Sequence, residues 1–199
     1  MFSQFCYYSN AFTDQECDKI IELGLDTGLK DGVLGDGSHG GESRVDFEMR
    51  KSKLRFINEW DPGANWIFKK FWDHALKANR DWFKLHIESL ESMQFTRYEG
   101  NAEQPDHYNY HQDVFWITEN TYHRKLSAVL QLSDSNDYEG GDLVFKHMYE
   151  YSPSETQMYE MKQRGSIIFF PSFVFHAVEG VTSGLRHSLV AWFDGPKWR

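Results

Sequence analysis

The sequence predicts a mainly β fold, a sandwich or jelly roll with flanking helices, and three observations lead there. From Ser92 onward, short apolar runs alternate with turn residues, giving candidate strands at 92–98, 107–113, 125–133, 142–149, 156–161, 166–170 and 185–194. Aromatic residues make up 17% of the chain, a share that favours strands and a tightly filled interior or pocket. The length of 199 residues suits one domain with a sizeable core. We therefore expect a single domain over 1–199, with N-terminal helices and supporting strands in 1–91 and the β core in 92–196.

The first helix is announced by Thr13, with Glu16 three residues on as a capping box, and by Cys17, Ile20, Ile21 and Leu25 at helical spacing; Gly28 stops it. Between Gly28 and Gly41, glycines interleaved with Asp, Ser and Lys have the composition of a surface loop, and the sharper reading is a lid over a site. Alternation at Val45, Phe47 and Met49, then at Leu54 and Phe56, predicts half-buried strands. Asp61-Pro62 opens a second helix whose apolar face, Trp66, Ile67, Phe71, Ala75 and Leu76, runs to about Asn79 as core. Further on, Gly140-Gly141 marks a tight turn, and Pro171 closes the apolar run Ile167-Ile168-Phe169-Phe170.

A formal charge of -9 and a pI near 5.4 oppose binding to a phosphate backbone, so no nucleic-acid partner is expected. Only Cys6 and Cys17 occur, in no zinc-like cluster, which fits a reduced compartment. The opening Met1-Phe2-Ser3-Gln4-Phe5 lacks the basic-then-apolar layout of a signal peptide, and no apolar stretch approaches the ~18 residues of a membrane span. The expectation is a soluble, cytoplasmic protein with no membrane partner; its oligomeric state is not legible.

Chemistry concentrates in the C-terminal half, in His111-Gln112-Asp113, then His176, then Arg186 with Ser188. Two imidazoles and a carboxylate form a facial triad that leaves three positions on an octahedral Fe(II) open. With nine His in the chain, random placement gives roughly 0.7 His-x-Asp matches, so the setting has to carry the assignment. On a strand, His111 and Asp113 would project to one face. By the same period Arg186, Ser188, Val190 and Trp192 would share one face of the last strand as a pocket wall, with His187, Leu189, Ala191 and Phe193 on the other. Arg186 presents a planar fork suited to holding a carboxylate bidentately, and Ser188 adds a hydroxyl beside it.

At these residues the chain resembles the Fe(II)/2-oxoglutarate-dependent dioxygenase superfamily, and within it the prolyl 4-hydroxylase-like and PKHD-type hydroxylases. The resemblance rests on Phe95-Thr-Arg-Tyr98-Glu-Gly100, Tyr108-Asn-Tyr-His111-Gln-Asp113, Arg124-Lys-Leu-Ser-Ala-Val-Leu-Gln-Leu-Ser133, Tyr138-Glu-Gly-Gly-Asp142, and Gly165-Ser-Ile-Ile-Phe-Phe-Pro171 through His176 to Trp192. Weaker similarity extends to Phe12–Ile21 and Arg50–Ile57. The resemblance implies a double-stranded β-helix, the cupin-like jelly roll, with His111, Asp113 and His176 on iron and Arg186 on the distal carboxylate of 2-oxoglutarate. It implies Tyr98 beside the cosubstrate, and Gln131 lining the same pocket where relatives often carry Tyr. Tyr108 and Trp192 are candidate substrate-side walls; Tyr110 and Trp116 are expected in core or rim packing.

The implied cofactors are Fe(II), 2-oxoglutarate and O2, with ascorbate a candidate reductant. The implied reaction hydroxylates an unactivated C–H and releases succinate and CO2, and retention of Asp113 favours hydroxylation over halogenation. The expected substrate is a protein or peptide side chain, with proline the first guess. Two alternatives remain: a small-molecule hydroxylase on the same fold, and a catalytically silent jelly-roll binding module.

Overall fold

Among the described residues, 4–34, 44–146 and 153–199 of a computed structural model, the elements in chain order are β1 (Cys6–Tyr8), α1 (Asp14–Leu25), β2 (Lys30–Asp31), β3 (Arg50–Lys51), β4 (Lys53–Ile57) and α2 (Asn65–Ala78). A π-helical turn, Asn79–Phe83, leads to β5 (Ser89–Leu90), β6 (Met93–Glu99), β7 (Asp106–His111) and β8 (Tyr122–Gln131). Then come β9 (Tyr138–Gly140), β10 (Leu143–Phe145), α3 (Glu155–Lys162), β11 (Ile167–Pro171) and β12 (His176–Pro196).

Strand β12 belongs to two sheets. Its first half pairs antiparallel with β7, β9 and β10, and its second half with β5, β6 and β8. The larger sheet runs β1-β11-β8-β12-β6-β4-β2; the smaller one gathers β3, β7, β9 and β10 around β12. The change of sheet falls near Gly184, whose φ of +76° is left-handed and whose absent Cβ would lie 1.9 Å from the Asp137 carbonyl oxygen. Two antiparallel sheets sharing a bent strand make the jelly roll that the resemblance implied, with a cavity between them.

Strict alternation decides what each face does. One face of the larger sheet carries Phe95, Leu126, Ala128, Leu130, Leu189, Ala191 and Phe193 against Cys17 and Ile20 of α1 and Ile67, Phe71 and Ala75 of α2. Each Leu, Ile or Phe among them, removed from water, contributes about 1.5–3 kcal/mol, and each Ala less. The opposite face turns Tyr98, Val129 and Ile168 toward Leu143, Phe145 and Val178 of the smaller sheet. Helix α1 starts on the Thr13–Glu16 capping box as expected, and Glu16 also accepts from Lys70 of α2 at 2.6 Å, tying the two helices together.

Several elements differ from the sequence reading. Residues 156–161 lie in helix α3, because Ser154 and Gln157 form a reciprocal capping box ahead of residues that favour helix. Val45 and Phe47 are exposed, since the Asp46 carboxylate accepts from the backbone N–H of Glu48 and Met49 and folds this stretch into a turn; pairing begins only at Arg50. The second helix starts at Asn65, because Asp61 accepts from the Asn58 N–H behind it and Gly63 adopts φ +81°. The last strand begins nine residues earlier than 185, at His176. Of the expected strand 142–149, residues 143–145 are paired and 147–149 lie outside the described residues, as does 35–41 of the expected lid.

A buried charge cluster joins the start of β6, the start of β8 and the end of β12. Arg124 donates to both Glu91 oxygens at 2.7 and 2.6 Å, and its guanidinium lies 3.9 Å over the Trp192 ring. Asp194, buried beside Glu91, has its pKa pushed up to about 8, first by burial and then by the charge and hydrogen bond of Glu91. Its folded pKa lies above its unfolded value, so the stability it contributes is complete at acid pH and is lost as pH rises through about 8. Unfolding free energy measured by urea titration should therefore fall between about pH 4 and 8 and level off above, and Asp194→Asn should flatten that slope. A profile that is the same in the wild type and in Asp194→Asn over that window contradicts the raised Asp194 pKa.

Candidate functional site

The register of β7 against β12 brings the two histidines together. His111 ends β7, His176 begins β12, their Cα atoms are direct antiparallel partners, and the rings lie 4.2 Å apart between centroids. Asp113 lies two residues beyond the end of β7, outside the strand where alternation had placed it. Its backbone N–H donates to Ser172 O at 2.9 Å, and this bond from the turn after β11 returns the carboxylate to the histidines. His111 Nε2 is 3.6 Å from Asp113 Oδ1, His176 Nε2 is 3.6 Å from Asp113 Oδ2, and one atom from each residue lies within 4.8 Å of the others. These three residues could hold one metal ion.

The surroundings fix the protonation that a metal needs. Nδ1 of His111 lies 2.8 Å from Asn109 O, and Nδ1 of His176 lies 2.9 Å from Val174 O. A carbonyl can only accept, so each Nδ1 carries the proton and each Nε2 lone pair faces Asp113. Burial, reinforced by His176, pushes the His111 pKa down to about 3, so the ring is neutral at physiological pH. Burial alone would raise Asp113; His176, His111 and Arg124, together with the Ser127 hydroxyl that donates to Oδ2 at 2.7 Å, hold it below the usual carboxylate range. Ser127 also meets the Ser172 hydroxyl at 3.0 Å, which completes a buried polar chain behind the carboxylate.

These residues face a cavity of about 130 Å³ between the two sheets, room for a small multi-atom ligand rather than one water. Arg186, Ser188, Val190 and Trp192 line it from one face of β12, while Leu189, Ala191 and Phe193 point into the helix-covered core, the division the alternation predicts. Tyr98 and Tyr108 line it too, with Tyr108 stacked on the His111 ring at 3.6 Å. Arg186 is fully buried; Nη2 donates to Gln131 Oε1 at 3.0 Å, while Nε and Nη1 have no partner among the described residues. A buried guanidinium with two free donors on a cavity wall fits a carboxylate ligand, and the neighbouring His-Asp-His set fits a divalent ion, so the residues present suit both.

Gln131 is placed differently from expectation. It is absent from the lining of this cavity and stands behind Arg186, buried at 3% exposure, so it orients the guanidinium. Tyr110 and Trp116, expected in core or rim packing, are half exposed and absent from the cavity lining. Sequence reasoning missed Ser127, although it shares a face of β8 with Val129, and it missed Arg50, hidden in a run of basic residues, Arg50-Lys51-Ser52-Lys53. Arg124 stood in the matched motif with no role assigned, and it also lines the cavity.

Comparison with known proteins agrees with this geometry. The family model of the 2OG-Fe(II) oxygenase superfamily matches residues 93–194. A PKHD-type hydroxylase of Rippkaea orientalis is 30% identical over 94% of this chain and 76% of its own, and one of Crocosphaera subtropica is 34% identical over 55% and 46%. Among the relatives matched, the aligned part thus falls below half of the Crocosphaera subtropica protein's length. Of solved structures, a viral collagen prolyl hydroxylase from Paramecium Bursaria Chlorella virus-1 superposes with a TM-score of 0.66 at 17% identity, over 97% of both chains. A prolyl hydroxylase from Trichoplax adhaerens, in complex with a hypoxia inducible factor peptide fragment, gives 0.69 at 16% identity, over 96% of this chain and 83% of that one. At these identities the superpositions speak for the fold, while the sequence matches carry the family: the chain belongs to the 2OG-Fe(II) oxygenase superfamily, with PKHD-type hydroxylases among its relatives, and the cofactors this membership implies are Fe(II), 2-oxoglutarate and O2.

Proposed function

We propose that this chain is a 2-oxoglutarate-dependent dioxygenase that hydroxylates a side chain of a protein or peptide, prolyl as the leading choice, with release of succinate and CO2. One observation carries the reading: the His111-Asp113-His176 cluster shares a small cavity with a fully buried Arg186 whose Nε and Nη1 await an acceptor. The family names of its relatives supply the hydroxylase class, and the prolyl hydroxylases of the same fold favour a peptide substrate.

In this proposal His111, Asp113 and His176 hold Fe(II), and Arg186, with the Ser188 hydroxyl beside it, holds the distal carboxylate of 2-oxoglutarate. Iron and 2-oxoglutarate bound there would activate O2, the oxidant: 2-oxoglutarate would give up two electrons as it loses CO2 and becomes succinate, and the C–H would give the other two, so that one oxygen atom ends in succinate and the other in the hydroxyl group. The protein's own contribution is position. Backbone carbonyls lock the imidazoles, Ser127 aims the carboxylate, and Gln131 holds Arg186 in place before the cosubstrate arrives. Buried Tyr98 stands beside Arg186, whose guanidinium carbon is 5.2 Å from its ring centroid, and helps exclude water from that end. Tyr108 and Trp192 form the substrate side, and the acidic chain disfavours nucleic acid as the substrate.

Succinate formation from 2-oxoglutarate in air should require Fe(II) and rise on adding proline-containing peptides. His176→Ala should remove that turnover and weaken metal binding while thermal unfolding of the apoprotein shifts little. Full activity in this variant would remove the ligand assignment. Arg186→Ala should raise the 2-oxoglutarate requirement by roughly 30-fold, the equivalent of about 2 kcal/mol for a lost pair of charge-assisted hydrogen bonds. An unchanged requirement would place the anchor elsewhere.

A further inference from the structure

Three arginines line the cavity, and their partners differ. Arg124 is answered by the Glu91 carboxylate, and Arg186 presents its free donors where the proposed cosubstrate would lie. Arg50 is left over. It is 4% exposed, and among the described residues its side-chain hydrogen-bond partners are neutral: Nε donates to Ser52 Oγ at 2.9 Å and Nη1 to Gln94 Oε1 at 3.4 Å. Its Nη2 is buried with no partner, and no acid pairs with it among the described residues. Asp106, a buried acid on the neighbouring strand β7, is engaged by Lys51 at 3.4 Å and by the Glu99 backbone N–H at 2.9 Å.

Position makes this charge relevant to the substrate. The Arg50 guanidinium lies 4.6 Å over the Tyr108 ring, and Tyr108 stacks on His111, so the cation stands one ring away from the candidate metal ligands. It enters the cavity from the smaller sheet, whereas Arg186 enters from the larger one. A cation–π contact and two neutral acceptors do not neutralise a buried guanidinium; an anion does. In the proposed loaded state, iron (+2), Asp113 (-1), Arg186 (+1) and 2-oxoglutarate (-2) sum to zero, and Arg50 remains the uncompensated charge.

We propose that Arg50 is the recognition point for a carboxylate on the primary substrate, so that the enzyme prefers to hydroxylate a residue next to an anionic group. This rests on the oxygenase reading above and narrows its substrate. The carboxylate has two possible sources, the free C-terminus of the modified residue or an acidic side chain beside it, and both present the same chemistry to the Nη2 donor.

The test is calorimetric titration of the Mn(II)- and 2-oxoglutarate-loaded protein, held without turnover, with matched acid and amide probes. N-acetylproline against N-acetylprolinamide, and the corresponding pairs built on other amino acids, report the C-terminal source. N-acetyl-Pro-Asp-amide against N-acetyl-Pro-Asn-amide reports the side-chain source. At least one acid should bind about ten-fold or more tightly than its neutral counterpart, the preference should vanish in Arg50→Gln, and Arg50→Lys should restore part of it. No acid preference in any pair overturns the proposal, as does a preference that survives Arg50→Gln. Loss of 2-oxoglutarate binding in Arg50→Gln also overturns it, by making Arg50 the cosubstrate anchor. Failure of the prolyl reading is distinguishable, since it leaves the acid preference in place on a residue other than proline.

Discussion

The antiparallel register of β7 against the first half of β12 places His111 opposite His176, and the remaining site geometry is set by how other elements meet that pair. Two imidazoles and a carboxylate do not gather in a buried space unaided, because each loses water on burial. Here the backbone compensates: Asn109 O and Val174 O take the Nδ1 protons, and the hydroxyls of Ser127 and Ser172 support Asp113 from behind. The shared strand then carries the same chain from His176, past the left-handed Gly184, to Arg186, so one strand supplies a candidate metal ligand and a candidate cosubstrate anchor.

Charge gives the cavity its direction. Asp113 stands at one end with the histidines, and Arg186 stands deeper with two donors unspent. Gln131 holds the third guanidinium nitrogen without neutralising it, and a neutral partner is suited to this place because a carboxylate there would satisfy Arg186 before any ligand arrived. Arg124 illustrates the opposite arrangement, fully engaged by Glu91 and flattened on Trp192 as part of the wall. Among the described residues Arg50, like Arg186, has no acid partner, the observation on which the proposed substrate preference rests.

What could be read in the sequence was what short-range rules fix. The capping box at Thr13 and Glu16 marks α1, and the two-residue period from Arg186 to Trp192 sorts the cavity wall from the core without any knowledge of the partner strands. The same rules could have found α3, since Ser154 and Gln157 form an equivalent box, but Met158, Tyr159 and Met161 are too few apolar residues to set a helical period, and the segment fell in with the series of short strands around it. The first half of β12 was hidden because Gly180, Thr182, Ser183 and Gly184 carry little apolar signal, and this stretch is held in the sheet by the pairing of Val181, Ser183 and Gly184 with β9. The motif matches brought Gln131 to the right neighbourhood, but only the long-range hydrogen bond to Arg186 tells a residue behind an anchor from one beside a ligand. Arg50 gave no local signal, because the role proposed for it rests on the lack of a counter-charge among the described residues, a property of the assembled cavity.

The most direct test of the account is an anaerobic crystal structure of the protein with Mn(II) and 2-oxoglutarate. The account predicts the metal on His111 Nε2, His176 Nε2 and the Asp113 carboxylate, and the distal carboxylate of 2-oxoglutarate on Nε and Nη1 of Arg186. A metal outside this triad, or a 2-oxoglutarate whose carboxylates leave Arg186 without a partner, would contradict it.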